Sequence, residues 1–570
     1  MLKDFFKKNG WRYIPGLILL VICAWIQTRS PLALGKAIEL ATQSNWSAFI
    51  HEAVMIFVIA LGVFVTRFGW RWFVVLTSRE MEVYLRDRLY AHLVRLPVHF
   101  YGHARSGDLM AYAINDVNAV RMMFGMVVAQ VVNAISSVAF SIGEMSAGIH
   151  LKLTLYSLLP VPLAVFAVVI LSGKIRRRAR YAQDMFSKLS GHVQENINGM
   201  RVLKAFAQET PQYAEYEKES LEKRRANLSW YNVANLMDPM IKSIFGVCYA
   251  IGLIYGGRLV LNGEIALADY VAFNSYLTII VFPVVAVGRI TNNLQRGLAS
   301  YRRLKELMDE PEVPAFDRED DGQPIGSEIV AEHLTYRYPD GDRNALTDIS
   351  FHVKPGGMLG VVGPTGGGKS TILSLLTKLA SPESGQLFVG GRDVCSIPAV
   401  SLREAIGYVP QDGFLFDETV RENVRFFTNV EEREILQALG DAGMIDDLVK
   451  LPEGIETMCG ERGNHLSGGQ RQRVSLARAL VRSPKILLLD DTLSAVDAST
   501  EERILKNLKQ NMAGKTSVVV AHRLSAVRDA DEILFIEDGR VTERGTHDEL
   551  LALGGGYARM YALQNKKEGE

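Results

Sequence analysis

Gly363-Pro364-Thr365-Gly366-Gly367-Gly368-Lys369-Ser370 decides how the rest of this chain is read. It follows G-x-x-x-x-G-K-[ST], the P-loop pattern. Met358–Val362 before it is short and apolar, which predicts a buried strand; residues 371–376 after it predict the start of a helix. Strand, loop and helix is the setting the motif needs. Glycines let backbone N–H groups converge on phosphate oxygens, and the helix N-terminus adds positive partial charge. In that geometry Lys369 reaches the terminal phosphates of a nucleoside triphosphate and the Ser370 hydroxyl ligates Mg²⁺. Gly363, Thr365, Gly366, Gly368, Lys369, Ser370 and Thr371 are the candidate nucleotide-binding residues of this stretch.

Working outward, the second half carries partner motifs. From about residue 329 short β-branched runs alternate with turns and helical stretches, which predicts an α/β domain around a mainly parallel sheet. Ile486–Asp490 is an apolar run ending in an acid. A carboxylate at the end of a core strand beside a P-loop holds Mg²⁺ directly or through water. Leu466-Ser467-Gly468-Gly469-Gln470 precedes the helix-favouring run 471–479, a second phosphate-binding helix end. Gln411 follows a strand-like run at 406–410, and His522 closes another at 516–521. Tyr338 lies upstream and can stack on a flat base.

The first half reads as membrane-spanning. Six long apolar stretches lie near residues 13–34, 53–76, 122–146, 153–171, 237–260 and 270–287, each close to the ~20 residues that span a bilayer. The first lacks a small-x-small cleavage site and is too long for a cleavable signal. Long polar gaps follow the second and fourth stretches, helical in pattern and rich in Arg and Lys. The positive-inside rule places them, the N-terminus and the C-terminal half in the cytoplasm. The gaps are expected to continue the membrane helices as paired extensions. Arg67, Arg71, Glu144, Asp238 and Arg289 lie within or near the spans. Intramembrane charge pairs structurally or faces a cavity, and both readings stay open for Arg67 and Arg71, which share a helix face. Phe64, Phe68, Trp70, Trp72 and Phe73 crowd the same region, as cavity walls or as lipid-facing and packing residues.

The chain has 570 residues, with 63 Lys+Arg against 63 Asp+Glu, so no overall charge marks a nucleic-acid partner. Its four cysteines, Cys23, Cys248, Cys395 and Cys459, are far apart, which indicates neither a zinc site nor a disulfide framework. An acidic, proline-rich run at 309–324 reads as a linker. The expected organisation is a six-helix, all-α membrane transporter domain over 1–308, a linker over 309–327 and an α/β P-loop nucleotide-binding domain over 328–570.

Together these residues resemble the ATP-binding-cassette exporters, in the half-transporter arrangement of one membrane domain and one nucleotide-binding domain. The P-loop matches the family's Walker A motif, Ile486–Asp490 Walker B, Leu466 to Gln470 the signature and Gln411 the Q-loop. Ser494-Ala495-Val496-Asp497 matches the D-loop, His522 the switch histidine and Tyr338 the A-loop aromatic. Gly460-Glu461-Arg462-Gly463 resembles the exporter-specific segment before the signature. Gly107-Asp108-Leu109-Met110 resembles the first coupling segment, and Lys204-Ala205-Phe206 lies where the second belongs. The resemblance implies ATP and Mg²⁺ as cofactors, with Ser370, Gln411 and Asp490 around the metal and Asp491, His522 and Gln411 in catalysis. It also implies head-to-tail pairing with a second half-transporter, whose P-loop is closed by Ser467, Gly468, Gly469 and Gln470 of this chain. The implied function is ATP-driven export of amphipathic compounds, drug-like or lipid-like, across the cytoplasmic membrane. The alternative is an exporter or flippase of a specific lipid, peptide or metabolite in which this chain mainly binds ATP.

The sequence departs from the family pattern at Asp491, where Glu is usual. Asp keeps the charge and retracts it by one methylene, and a displacement of ~1 Å costs ~100-fold in rate. The site built on this P-loop is therefore expected to hydrolyse slowly, as in heterodimeric multidrug exporters with one degenerate site, and the expected partner is a different half-transporter rather than a second copy. A smaller departure is Gly367, where Ser or Cys is common; it is expected to add backbone freedom.

Overall fold

The computed structural model describes residues 1–312, 322–492 and 514–568. The chain divides into two compact units, Met1–Val94 with Arg105–Glu310, and Arg95–Ala104 with Pro311–Glu570.

Six helical segments of the first unit are long and apolar enough to cross a membrane. They are α1 (Lys3–Thr42), α2 (Trp46–Arg95), α3 (Ser106–Ile149), α4 (Leu151–Asn198), α5 (Glu209–Leu261) and α6 (Leu267–Met308). Each contains one of the six apolar stretches. The polar gaps do extend the helices: α2 runs unbroken for 50 residues, and Val161–Asn198 of α4 packs along Glu209–Ala234 of α5. That pair is tied by polar contacts. Lys188 and His192 reach Glu219 at 3.2 and 3.3 Å, and Arg178 donates to the Ser229 carbonyl at 2.9 Å.

Phe245, Phe273, Tyr276 and Leu277 are buried where α4, α5 and α6 meet. Lipid tails are as apolar as these side chains, so close packing and buried hydrogen bonds hold the helices together. The Tyr276 hydroxyl donates to the Thr28 carbonyl at 2.6 Å, joining α6 to α1. Asp116 of α3 accepts from Ser300 Oγ at 2.7 Å and from Arg303 Nε and Nη2 at 3.0 and 2.5 Å, a bidentate pair joining α3 to α6.

Two of the charges near the spans are paired: Glu144 with Arg29 at 3.0 Å, and Asp238 with Lys242 at 2.7 Å. Arg67 and Arg71 instead line a cavity of about 760 Å³ with Trp70, Gln130, Asn133 and Ser137 among its walls. Phe64, Phe68 and Trp72 are exposed and are not among those walls.

In the second unit ten strands are described: β1 (Ile329–Tyr336), β2 (Leu346–Val353), β3 (Met358–Val362), β4 (Leu387–Val389), β5 (Arg392–Asp393), β6 (Ile406–Val409), β7 (Ile486–Asp490), β8 (Thr516–Val520), β9 (Glu532–Glu537) and β10 (Arg540–Gly545). Six form one sheet in the order β10-β9-β3-β8-β7-β6, parallel except for β10 at the edge. β7 and β8 are buried at every position, so residues 486–489 and 518–520 read as unbroken apolar runs rather than alternating ones.

A second, antiparallel sheet in the order β2-β1-β4-β5 goes beyond the sequence reading. β4 and β5 have only three and two residues, too few for a period to show. Both faces of the six-stranded sheet are covered. Ile372, Leu373 and Leu376 of α7 (Lys369–Leu376) lie in one core, and Val474 and Ala477 of α8 (Gly468–Leu480) lie in the other. Two helices close the chain, α9 (His547–Leu553) and α10 (Gly556–Glu568).

Candidate nucleotide site

Parallel strands present their carboxyl ends on one edge, where ligands of such sheets bind. The P-loop leaves β3, Gln411 follows β6, Asp490 ends β7 and His522 follows β8. Val520 of β8 is in register with Val361 of β3 on one side and with Asp490 on the other, so these ends lie level.

The loop needs glycine for steric reasons. Gly363 has φ +143°, and a Cβ there would lie 2.1 Å from the Ile536 carbonyl oxygen. Gly368, which caps α7, has φ +97°, and its Cβ would lie 2.4 Å from the Ala345 carbonyl oxygen. Gly367 is explained the same way: a Cβ would sit 2.8 Å from Ile536 O, so this loop lies against β9 where a side chain does not fit. Close approach, rather than added freedom, accounts for that residue. Thr365 and Gly366 are exposed at the turn of the loop.

Lys369 is buried, and its Nζ donates to the Gly363 and Pro364 carbonyls at 2.9 and 2.8 Å. Burial pulls the ammonium below the usual lysine range, opposed by the charges of Asp491 and Asp490. Ser370 Oγ donates to Asp490 Oδ1 at 2.9 Å. Burial, and then the neighbouring Asp491, push the Asp490 carboxyl above its ordinary range, against the Ser370 hydrogen bond and the charges of Lys369 and His522.

Asp491 is buried and left-handed, with φ +45°. Its Oδ1 accepts from the His522 backbone N–H at 3.3 Å and its Oδ2 from Gln411 Nε2 at 3.4 Å. Gln411, Asp491 and His522, drawn from three strands, thus meet. The Tyr338 hydroxyl donates to Thr371 Oγ1 at 3.2 Å, and its ring packs edge-on against Tyr336 at 5.1 Å. Tyr338 keeps 37% of its surface exposed, which leaves a ring face for stacking.

The signature residues lie apart from this cluster. Ser467 caps α8: its Oγ accepts from Gln470 N–H at 3.3 Å and its own N–H donates to Gln470 Oε1 at 2.9 Å. This reciprocal box leaves Gly468 and Gly469 at the positive end of the helix. The segment from Gly460 to Gly463 forms a tight turn with Arg462 left-handed and exposed. Gly107 to Met110 lie in the short helix Ser106–Ala111, and Lys204 and Ala205 end another, Met200–Ala205, followed by exposed Phe206. Ser494 to Asp497 lie outside the described residues.

One contact of the cluster was missed by sequence reasoning. Gln564 of α10 donates through Nε2 to the His522 carbonyl at 2.6 Å and accepts through Oε1 from Leu524 N–H at 3.0 Å. Its spacing of seven from Tyr557 and three from Tyr561 is the helix-face signal that marks it.

The profile of the ABC transporter transmembrane region matches residues 13–284, and that of the ABC transporter ATP-binding region, described as "ABC transporter", matches residues 346–494. The chain is 37% identical to the probable multidrug resistance ABC transporter ATP-binding/permease protein YheI of Bacillus subtilis (strain 168), covering 98% of this chain and 96% of that one. It is 34% identical to the multidrug resistance-like ATP-binding protein MdlA of Escherichia coli (strain K12), over 98% and 95% of the two chains. An ATP-dependent lipid A-core flippase of Methylobacillus flagellatus is 31% identical over 89% and 85%. Among solved structures, a bacterial Atm1-family ABC exporter with ATP bound superposes with a TM-score of 0.76 at 25% identity, covering 97% of this chain and 98% of that one.

Proposed function

The chain belongs to the ATP-binding-cassette transporter family, and on that premise we propose that it is one half of a dimeric, ATP-driven exporter of amphipathic compounds in the cytoplasmic membrane. One observation carries the reading. The same chain holds the Ser370–Asp490 hydrogen bond beside a P-loop and, in its membrane unit, a cavity walled by Arg67, Arg71 and Trp70. The cavity volume of about 760 Å³ is of the size that takes drug-like ligands, and its mixed polar and aromatic walls suit amphiphiles.

The donor set fits MgATP. Ser370 Oγ and Asp490 Oδ1, 2.9 Å apart, would hold the metal as hard oxygen ligands, with the side-chain oxygen of Gln411 from the neighbouring strand end as a third. Mg²⁺ beside phosphate needs only one or two carboxylates. When bound, the metal neutralises charge developing on the transferred phosphoryl group. The P-loop amides and Lys369 hold the phosphates, and Tyr338 stacks on the base. Asp491 and Gln411 orient the attacking water, and His522 steadies the terminal phosphate. In the assembled dimer Ser467, Gly468, Gly469 and Gln470 close the partner's P-loop. Both termini and the nucleotide domain lie in the cytoplasm, in line with the basic polar gaps.

Asp491 makes the site on this P-loop the slower of the two and favours a different half-transporter as partner over a second copy. ATPase activity of the full-length chain alone and with its genomic neighbour tests this. Low activity alone, restored by the neighbour, is expected; strong activity of the isolated chain, abolished by Asp491→Asn, overturns it.

A further inference from the structure

We propose that Gln564 is a positioning residue for ATP hydrolysis, setting the height of the His522 segment through two backbone hydrogen bonds from the C-terminal helix. The proposal rests on the roles given above to His522 and Asp491. Among the described residues the strand register of β8 ends at Val520, the Ala521 N–H makes a last bond to the Val361 carbonyl at 3.2 Å, and the chain turns at Leu524–Val527. A backbone leaving a sheet needs its N–H and C=O groups satisfied elsewhere. Gln564 does this on both sides of Arg523: its amide nitrogen donates to the His522 carbonyl at 2.6 Å and its amide oxygen accepts from the Leu524 N–H at 3.0 Å. The planar carboxamide of Gln offers a donor and an acceptor from one group, as this pairing requires. On its other side the same His522 residue donates its N–H to Asp491 Oδ1 at 3.3 Å. Gln564, the His522 backbone and the Asp491 carboxylate therefore form one hydrogen-bonded line from α10 to the site.

The clamp is useful only if α10 is itself fixed. Tyr557 is fully buried, and its hydroxyl meets His547 Nδ1 at 2.7 Å. The N–H groups of Gly556 and Tyr557 both donate to the Glu543 carboxylate of β10. Tyr561 packs edge-on against His547 at 5.3 Å. Residues 557, 561 and 564 recur at i, i+4 and i+7, one stripe of a helix. Two anchor α10 to the domain, and the third, two turns on, reaches the His522 segment.

The test is single-turnover hydrolysis of radiolabelled ATP by the full-length chain in lipid nanodiscs, assembled as it purifies and in excess over ATP, with thermal midpoints measured in parallel. Gln564→Leu keeps the size and removes both hydrogen bonds. It is expected to slow hydrolysis ~10-fold, consistent with a small displacement of a catalytic segment, with ATP affinity changed less than about twofold. In a His522→Ala background the same substitution is expected to cost clearly less than in the native background, because the imidazole is gone and only the backbone bond to Asp491 is left to be displaced. Gln564→Glu keeps the acceptor for Leu524, loses the donor to His522, and is expected to slow hydrolysis to an intermediate extent; it serves if the leucine variant does not fold. Equal losses from Gln564→Leu in both backgrounds, tracking a fall in thermal midpoint, would show a merely structural contact and overturn the proposal. So would a full rate in Gln564→Leu when His522→Ala is slow. A full rate in His522→Ala would overturn the role of His522 and the proposal with it.

Discussion

Asp491→Glu is the substitution that weighs the competing forces at this site most directly. Two contacts of the Asp491 carboxylate are long, 3.3 Å to the His522 N–H and 3.4 Å to Gln411 Nε2, where N–H···O bonds centre near ~2.9–3.0 Å. One added methylene carries the carboxylate outward by about one carbon–carbon bond. A correction of that order is worth ~100-fold in rate, or ~2.7 kcal/mol of barrier. Against it stands the backbone. Residue 491 has φ +45°, a conformation Asp visits more readily than Glu. The added strain is about 1–2 kcal/mol, and it falls on ground state and transition state alike, so it lowers stability and leaves most of the acceleration. The assay is steady-state phosphate release by the full-length transporter in nanodiscs, with any partner site silenced at its own P-loop lysine. A rise of ~100-fold in kcat at similar KM is expected. An unchanged or reduced rate would refute the view that a short carboxylate limits this site.

Other consequences follow from individual contacts. Ser370→Ala removes the donor to Asp490 and leaves a buried carboxylate oxygen short of a partner; a loss of about 1–3 kcal/mol in Mg²⁺-dependent nucleotide binding is expected by titration calorimetry. Tyr338→Ala removes the stacking ring and its bond to Thr371, and ATP affinity should fall by ~1–3 kcal/mol, with Tyr338→Phe retaining most of it. Asp490 has a folded-state pKa raised chiefly by burial. Its ionised form therefore costs stability at neutral pH, and the cost fades as pH falls through the folded value toward the unfolded one. Asp490→Asn should hold or raise the thermal midpoint at pH 7.5, lose that advantage near pH ~4, and abolish Mg²⁺-dependent ATP binding.

The fold was legible where one force dominates. Six apolar stretches needed only bilayer length, and the polar gaps showed their helical pattern because the helices that carry them leave the apolar layer and pair through polar contacts such as Lys188 with Glu219. β3 and β7 appear with the expected bounds because both are buried apolar runs. β4 and β5 did not show, since strands of three and two residues are too short to carry a pattern and β4 is held by pairing with β1, some 60 positions earlier. The P-loop and its companions were legible because phosphate chemistry fixes residue types and spacing. Side-chain meetings such as Gln411 with Asp491, or Gln564 with the His522 segment, are long-range and left only indirect traces. Gly367 shows the limit from the other side: its glycine was visible, but the Ile536 carbonyl that excludes a side chain there lies on a strand 169 positions away in the chain.

ATP-driven accumulation of a fluorescent amphipathic dye in inside-out membrane vesicles, carrying the chain and its co-expressed neighbour, tests the central claim most directly. The account predicts uptake that requires hydrolysable ATP and Mg²⁺, persists in Asp491→Asn and is lost in Ser467→Arg, which blocks the helix end that closes the partner's site. Uptake that is the same with and without ATP, or that survives Ser467→Arg and is lost in Asp491→Asn, would contradict it.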